Sequence, residues 1–251
     1  MYKFILSILC ALSIGWATSA NARADIQRYT LANGLQVYVK PDHRAPNVIS
    51  MILYKVGSAD EPGGLSGISH VLEHMMFKGT QSLGPNEFSK LIAAEGGIEN
   101  AFTSHDFTGY FQKISADKLP ISLKLEADRM QNLQLKQADF VKELQVVQEE
   151  RRMRTDNDPH AATFEQFNAI AHQAHPYHHP IIGWKNDLDH LQLTDLQIWY
   201  NTWYTPSNAA LLVVGDVDPN QVYQWAKKYF GSIPAKAAPK VKPQLAPHTY
   251  G

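Results

Sequence analysis

Two histidines four residues apart, His70 and His74, with Glu73 just before the second, constrain this chain more than any other feature of its sequence. On a helix, positions i and i+4 differ by about 40° around the axis, so both imidazoles project from one face, a turn apart. Glu73 lies one residue short of His74, and its carboxylate flanks that face. Two neutral imidazoles held this way can take two corners of a tetrahedral zinc site, leaving a carboxylate beside a water in an open position. The flanking residues favour a helix here. Ser66 stands where an N-cap belongs, and Gly79 where a left-handed cap would end it. Ile68, Val71, Leu72, Met75 and Met76 give an apolar face for packing, with the histidines near its edge. Without a third ligand, the same helix could simply carry histidines that cap a core or face water.

The periodicity predicts another helix from about Gln137 to Arg154, carrying Glu143, Glu149 and Glu150. Glu143 and Glu150 are two turns apart and share a face, whereas Glu149 is rotated from Glu150 by about 100°. Glu149 therefore reads as a solvated charge, next to Arg151, Arg152 and Arg154. Either Glu143 or Glu150 could close a His-His-Glu set, and spacing alone does not choose between them. A further cluster, His172, His175, His178 and His179, is irregularly spaced around Pro176 and Pro180, and reads as a folded loop rather than a metal site.

With 44% apolar and 19% charged residues and a formal charge of -1, the chain has an ordinary globular composition. No basic stripe invites nucleic acid. At the N-terminus, Lys3 precedes an apolar run from Phe4 to Trp16 that is short for a membrane span, then small residues. Residues 1–22 are read as an export signal, cleaved near Ala22 or Ala24, with an uncleaved anchor as the alternative. The only cysteine, Cys10, lies within that segment, and Leu9 before it is too large for the usual lipoprotein site. Any metal must then be held by His, Asp or Glu, and no stable membrane anchor is expected after cleavage. Residues 23–235 are read as the catalytic domain. The stretch from Ile233 onward, rich in Pro, Ala and Lys, reads as a linker or tail, taken as residues 236–251.

Strand signals fall at Gln27 to Thr30 and Leu35 to Lys40 around an Asn33-Gly34 turn, then at Val48 to Val56, Glu99 to Thr103, Thr108 to Ile114 and Ala209 to Val214. Helical signals cover about Asn86 to Ala94, Leu119 to Gln131, Asp195 to Trp203 and Pro219 to Tyr229, with an irregular His/Pro segment before Asp195. This order predicts an α+β fold, an antiparallel or mixed sheet covered by helices.

The motif order His-x-x-Glu-His is that of the inverted zinc peptidases. Together with Gly96-Gly97-Ile98-Glu99-Asn100-Ala101-Phe102-Thr103, Glu143 through Glu150, His175-Pro176-Tyr177 with Gly183, and Tyr204-Thr205-Pro206-Ser207-Asn208, it resembles the catalytic half of the pitrilysin/insulinase family. The resemblance covers about residues 27 to 235 in the right order. In that family the third zinc ligand lies about 76 residues after the second His, which falls on Glu150, and a second Glu seven earlier, which falls on Glu143. The resemblance thus implies one Zn2+ per chain on His70, His74 and Glu150, with Glu143 behind a ligating histidine, orienting it. It implies a zinc endopeptidase acting on peptides or unfolded segments, in which Glu73 takes the proton of a zinc-activated water. Asn100, Ala101 and Phe102 would lie on an edge strand that docks the substrate. Relatives add a second half of similar fold, here expected on another polypeptide, lost, or replaced by a homo-oligomer. The alternative is a non-catalytic zinc-containing binding subunit. With the export signal, the expected location is the periplasm.

Overall fold

Alternation of buried and open positions along one strand sets the centre of the molecule. Val48, Ser50, Ile52 and Tyr54 point inward, while Ile49, Met51 and Leu53 face the other side and stay partly open. The structure is a computed structural model in which residues 26–239 are described. The expected export signal, and the tail beyond residue 239, lie outside the described residues.

The elements run β1 (Gln27–Thr30), β2 (Gln36–Pro41), β3 (Asn47–Tyr54), α1 (Ile68–Met75), α2 (Glu87–Ala94), β4 (Ile98–Thr103), β5 (Thr108–Ser115) and α3 (Leu119–Asn132). They continue with α4 (Gln137–Arg151), α5 (Pro159–Ala171), α6 (Lys185–His190), α7 (Leu193–Trp203), β6 (Ala209–Gly215) and α8 (Pro219–Phe230). The strands form one six-stranded sheet in the order β1-β2-β6-β3-β5-β4. Only β2 and β6 pair in parallel; β6 reaches the middle of the sheet from far along the chain. The fold is α+β, a mixed sheet flanked by helices, as the element order predicts.

Under the helices the core is rich in tyrosine and includes one buried ion pair. Tyr54 stacks on Tyr204 at 4.1 Å, and the hydroxyls of Tyr110 and Tyr204 meet at 2.9 Å. Arg129 and Glu126, both on α3, pair at 2.6 Å with almost no exposure. Gln112 donates to the same Glu126 carboxylate at 2.6 Å, and the Arg129 guanidinium sits 4.3 Å over the Phe88 ring and 4.6 Å over that of Tyr110. Those contacts replace the water both charges lose on burial.

Several local expectations differ from the structure. Ser66 does not cap α1: its amide and hydroxyl both donate to Asp187. The N-cap position is Gly67 at φ 88°, and the Glu61 carboxylate accepts the amides of Gly67 and Ser69. A distant acid therefore does what a local hydroxyl was expected to do. Helix α1 closes at Met75, and Gly79, with φ 106°, turns the chain only after three further residues. Helix α4 ends at Arg151 and widens into a π-helical segment, Arg152–Asp156, instead of running regularly to Arg154. Helices α5 and α6 occupy ground expected to be irregular. No residue of α5 is buried, and Phe164, Phe167 and Ile170 stand open to solvent, so no core-facing stripe announces it. Its start was nonetheless written locally, because Asp158 caps the amides of His160 and Ala161 ahead of Pro159. Ile233, expected to begin the tail, is instead buried, and its carbonyl accepts from Asn33 at 3.0 Å.

Candidate metal centre

Helix α1 brings its two histidines to one face because its start is fixed from three directions. Glu61 holds the first amides, Asp187 holds Ser66, and Gly67 lies flat against Gly183. A Cβ on Gly67 would come within 2.8 Å of the Gly183 Cα, and one on Gly183 within 2.5 Å of the Ser66 carbonyl oxygen. Both glycines have φ 88–89°, so close approach and backbone conformation each require glycine.

Helix α4 lies across α1 and presents Glu150 to the histidines. The Glu150 Oε2 stands 3.5 Å from His74 Nε2 and 3.8 Å from His70 Nε2. These separations are long for hydrogen bonds. They match the edge of a tetrahedron whose corners lie about 2.0–2.1 Å from a central zinc, an edge of roughly 3.4 Å. Among the described residues, this is the one group of three ligating side chains whose donor atoms converge, all within 4.8 Å. The donor set, two imidazoles and one carboxylate, suits zinc with an open fourth position. His172, His175, His178 and His179 form no comparable group among the described residues.

Around these three side chains the partners are specific. His74 Nδ1 faces Glu143 Oε2 at 3.3 Å, and the other Glu143 oxygen is held by Lys78 Nζ at 2.7 Å. Glu73 points to the same cleft but stays out of the convergent set, and accepts a hydrogen bond from the Thr103 hydroxyl. Burial pushes the Glu73 carboxyl above its ordinary range; the Thr103 hydrogen bond and the charge of His74 oppose this, and the charge of Glu150 adds to it. Burial, with His74 and then Arg154 nearby, lowers His70 to about 3, which keeps the ring in the neutral form a metal requires. Glu149 faces solvent and pairs with Arg152.

A cleft of about 580 Å³ opens over the histidines, lined by His70, Glu73, His74, Glu150 and Arg154 on one side and Asn100, Ala101, Phe102 and Thr103 on the other. Strand β4 ends the sheet, so its outer edge carries no partner strand among the described residues. Of the residues named for the site, His70, Glu73, His74, Glu150, Asn100, Ala101 and Phe102 line the cleft, and Glu143 lies behind His74. The sequence reading missed Thr103, Lys78 and Arg154. Arg154 lies four residues after Glu150, so helical spacing could have found it, whereas Lys78 lies beyond the end of α1 and reaches Glu143 across the fold. Thr103 needed the fold.

The profile of the insulinase family, peptidase family M16, matches residues 36–185, and one described as the peptidase M16 inactive domain matches residues 190–251. The chain belongs to the insulinase (M16) family. It is 42% identical over 235 residues to the zinc protease PqqE of Helicobacter pylori, covering 92% of this chain and 53% of that protein. To the mitochondrial-processing peptidase subunit beta of Lentinula edodes it is 30% identical over 224 residues, covering 89% and 48%. A crystal structure of a protease from Helicobacter pylori superimposes with a TM-score of 0.85 at 41% identity, over 88% of this chain and 55% of that one. The periplasmic protease PqqL from Escherichia coli shares the fold, with a TM-score of 0.82 at 23% identity, over 88% and 25%. The chain spans about half the length of the curated relatives it matches. The break between the two profiles falls before β6, although β6 lies between β2 and β3 in the same sheet.

Proposed function

We propose that this chain is the catalytic unit of an exported zinc endopeptidase that cleaves peptides or unfolded segments. The observation that carries this reading is the convergence of His70, His74 and Glu150, with Glu150 Oε2 3.5 and 3.8 Å from the two Nε2 atoms and Glu73 beside them but not among them. A zinc ion held by His70, His74 and Glu150 would supply an activated water and a polarised scissile carbonyl. A binding module needs ligands but has no use for an acidic group beyond them placed over the same cleft. Glu73 is the general base: it takes a proton from the attacking water and returns it to the leaving amine. Thr103 holds that carboxylate toward the cleft. Glu143 holds His74 through Nδ1, fixing which ring nitrogen faces the cleft. Substrate adds to the open edge of β4, backbone to backbone, beside Asn100, Ala101 and Phe102.

The catalytic domain in this reading is residues 23–235, carried across the inner membrane by the signal at residues 1–22 and followed by a tail from residue 236. A second half of similar fold, as a separate subunit or a second copy of this chain, completes the substrate chamber. Hydrolysis of a quenched fluorescent peptide by purified protein tests the reading. Activity should disappear with chelator, return with zinc, and fall by about 10²–10⁴ in the Glu73→Gln variant, the usual contribution of a positioned base. Hydrolysis that survives both treatments would refute it.

A further inference from the structure

Three arginines follow Glu150 closely, and the structure gives each a different task. Arg151 is buried and binds both carboxylate oxygens of Glu165 on α5, at 2.8 and 2.9 Å, as well as the Gly183 carbonyl at 2.6 Å. Arg152 pairs with Glu149 in solvent. Arg154 alone turns to the cleft, where its Nη1 meets Glu150 Oε1 at 2.6 Å. That ion pair occupies the Glu150 oxygen which does not face the histidines. The other, Oε2, is the atom at 3.5 and 3.8 Å from the two rings.

Glu143 is arranged in the same way. One of its oxygens is held by the cation Lys78 and the other faces His74. On α4, then, each acid at the site gives one oxygen to a cation and turns the other to histidine, Glu143 to His74 alone and Glu150 to both rings. The two cations come from different elements, Lys78 from just beyond α1 and Arg154 from the π-helical segment after α4. Arg154 reaches Glu150 where the helix widens, a feature that often marks a functional position. A freely rotating carboxylate would present either oxygen, or both, to the histidines.

We infer that Arg154 is a positioning residue for Glu150: it holds Oε1 so that Oε2 alone is offered beside His70 and His74. The inference rests on the zinc-site reading above and deepens it. Two effects of removing Arg154 oppose each other, and their signs can be told apart. Loss of a positive charge next to the site should by itself tighten the binding of a divalent cation. Loss of orientation should weaken it. With Arg154 73% exposed, its Coulomb repulsion of a bound cation is screened, so orientation decides the outcome.

The test measures zinc affinity of the full chain by competition with a chromophoric chelator, for wild type, Arg154→Ala and Arg154→Lys. Arg154→Ala should bind zinc about tenfold more weakly, at the lower end of the effect of partners that orient ligands. Arg154→Lys, which keeps a donor and the charge, should recover part of the loss. The metal-free melting temperature should move little, because the Arg154 side chain is mostly exposed and a surface ion pair adds little stability. The visible spectrum of the cobalt(II)-loaded Ala variant should differ from that of wild type, since the carboxylate is no longer held. Affinity within twofold of wild type, tighter binding, or an unchanged cobalt spectrum would overturn the inference. Wild-type protein that holds no zinc would instead overturn the metal-centre reading, and this inference with it.

Discussion

At Glu73 a single hydroxyl decides how the carboxylate meets the cleft. The Thr103 hydrogen bond works against burial, which alone would drive the group further toward its protonated form. Hydrogen bonds to charged groups contribute about 1.5–3 kcal/mol. Thr103→Val should therefore lower kcat/KM by roughly tenfold while zinc content stays at the wild-type level, and Thr103→Ser should restore most of the rate. Equal rates for Val and Ser variants would show that the hydroxyl does not matter. A second buried acid affects stability rather than rate. Burial pushes Glu61 up to about 8, even though the amides of Gly67 and Ser69 donate to it. Between about 4.5 and 8 the folded chain keeps a proton that the unfolded chain has released. The folded state then binds more protons, so stability is fullest below this window and falls as pH rises through it, by up to about 1.4 kcal/mol per pH unit. Urea denaturation at several pH values, wild type against Glu61→Gln, isolates this slope. The difference between the two proteins should change steadily across the window; a constant difference would assign the slope to other groups.

Between elements, the site depends on two contacts that no local pattern reveals. The first is the touching pair Gly67 and Gly183, where α1 begins. Gly67→Ala meets both a left-handed backbone and the Ile182 carbonyl oxygen 2.7 Å away, so α1 must shift. Gly64 has nearly the same φ, 89°, with nothing within 4 Å, which makes Gly64→Ala the control for backbone strain alone, about 1 kcal/mol. The first substitution should lower the melting temperature and zinc affinity together, and the second only the temperature, slightly. The second contact is the Arg151–Glu165 pair, which joins the end of α4 to α5. Glu165→Gln leaves a guanidinium of 7% exposure without its bidentate partner and should cost roughly 3 kcal/mol in chemical denaturation, as broken buried pairs do. A loss below about 1 kcal/mol would mean that Asp156 and the Gly183 carbonyl suffice for Arg151.

At the scale of the whole molecule, β4 ends the sheet beside the cleft, while the sheet's outer face, with Ile49 and Val214 about two-fifths exposed, stays partly open. On the function proposed above, a cleft open beside β4 should gain activity when a second half covers it. Sedimentation and peptide hydrolysis measured over one concentration series should then rise together, with self-association or with an added partner of similar fold. Full activity per zinc from a monomer would rule out that requirement.

Much of this was legible in the residues. The i, i+4 histidines, the apolar stripe of α1 and the strand alternations are local, because helix and strand periodicity depends on near neighbours. The His-x-x-Glu-His order and the shared face of Glu143 and Glu150 could be marked from the chain, whereas Asn100 to Phe102 could be marked only through the family resemblance. Helix α5 could not, since its apolar residues face solvent and carry no inward stripe. Which glutamate faces the imidazoles, what caps α1, and how the three arginines divide their partners depended on where α4, Glu61 and the Gly183 turn come to rest. Those are contacts between segments far apart in the chain, fixed by packing and by the pairing of buried charge, and neighbouring residues do not encode them.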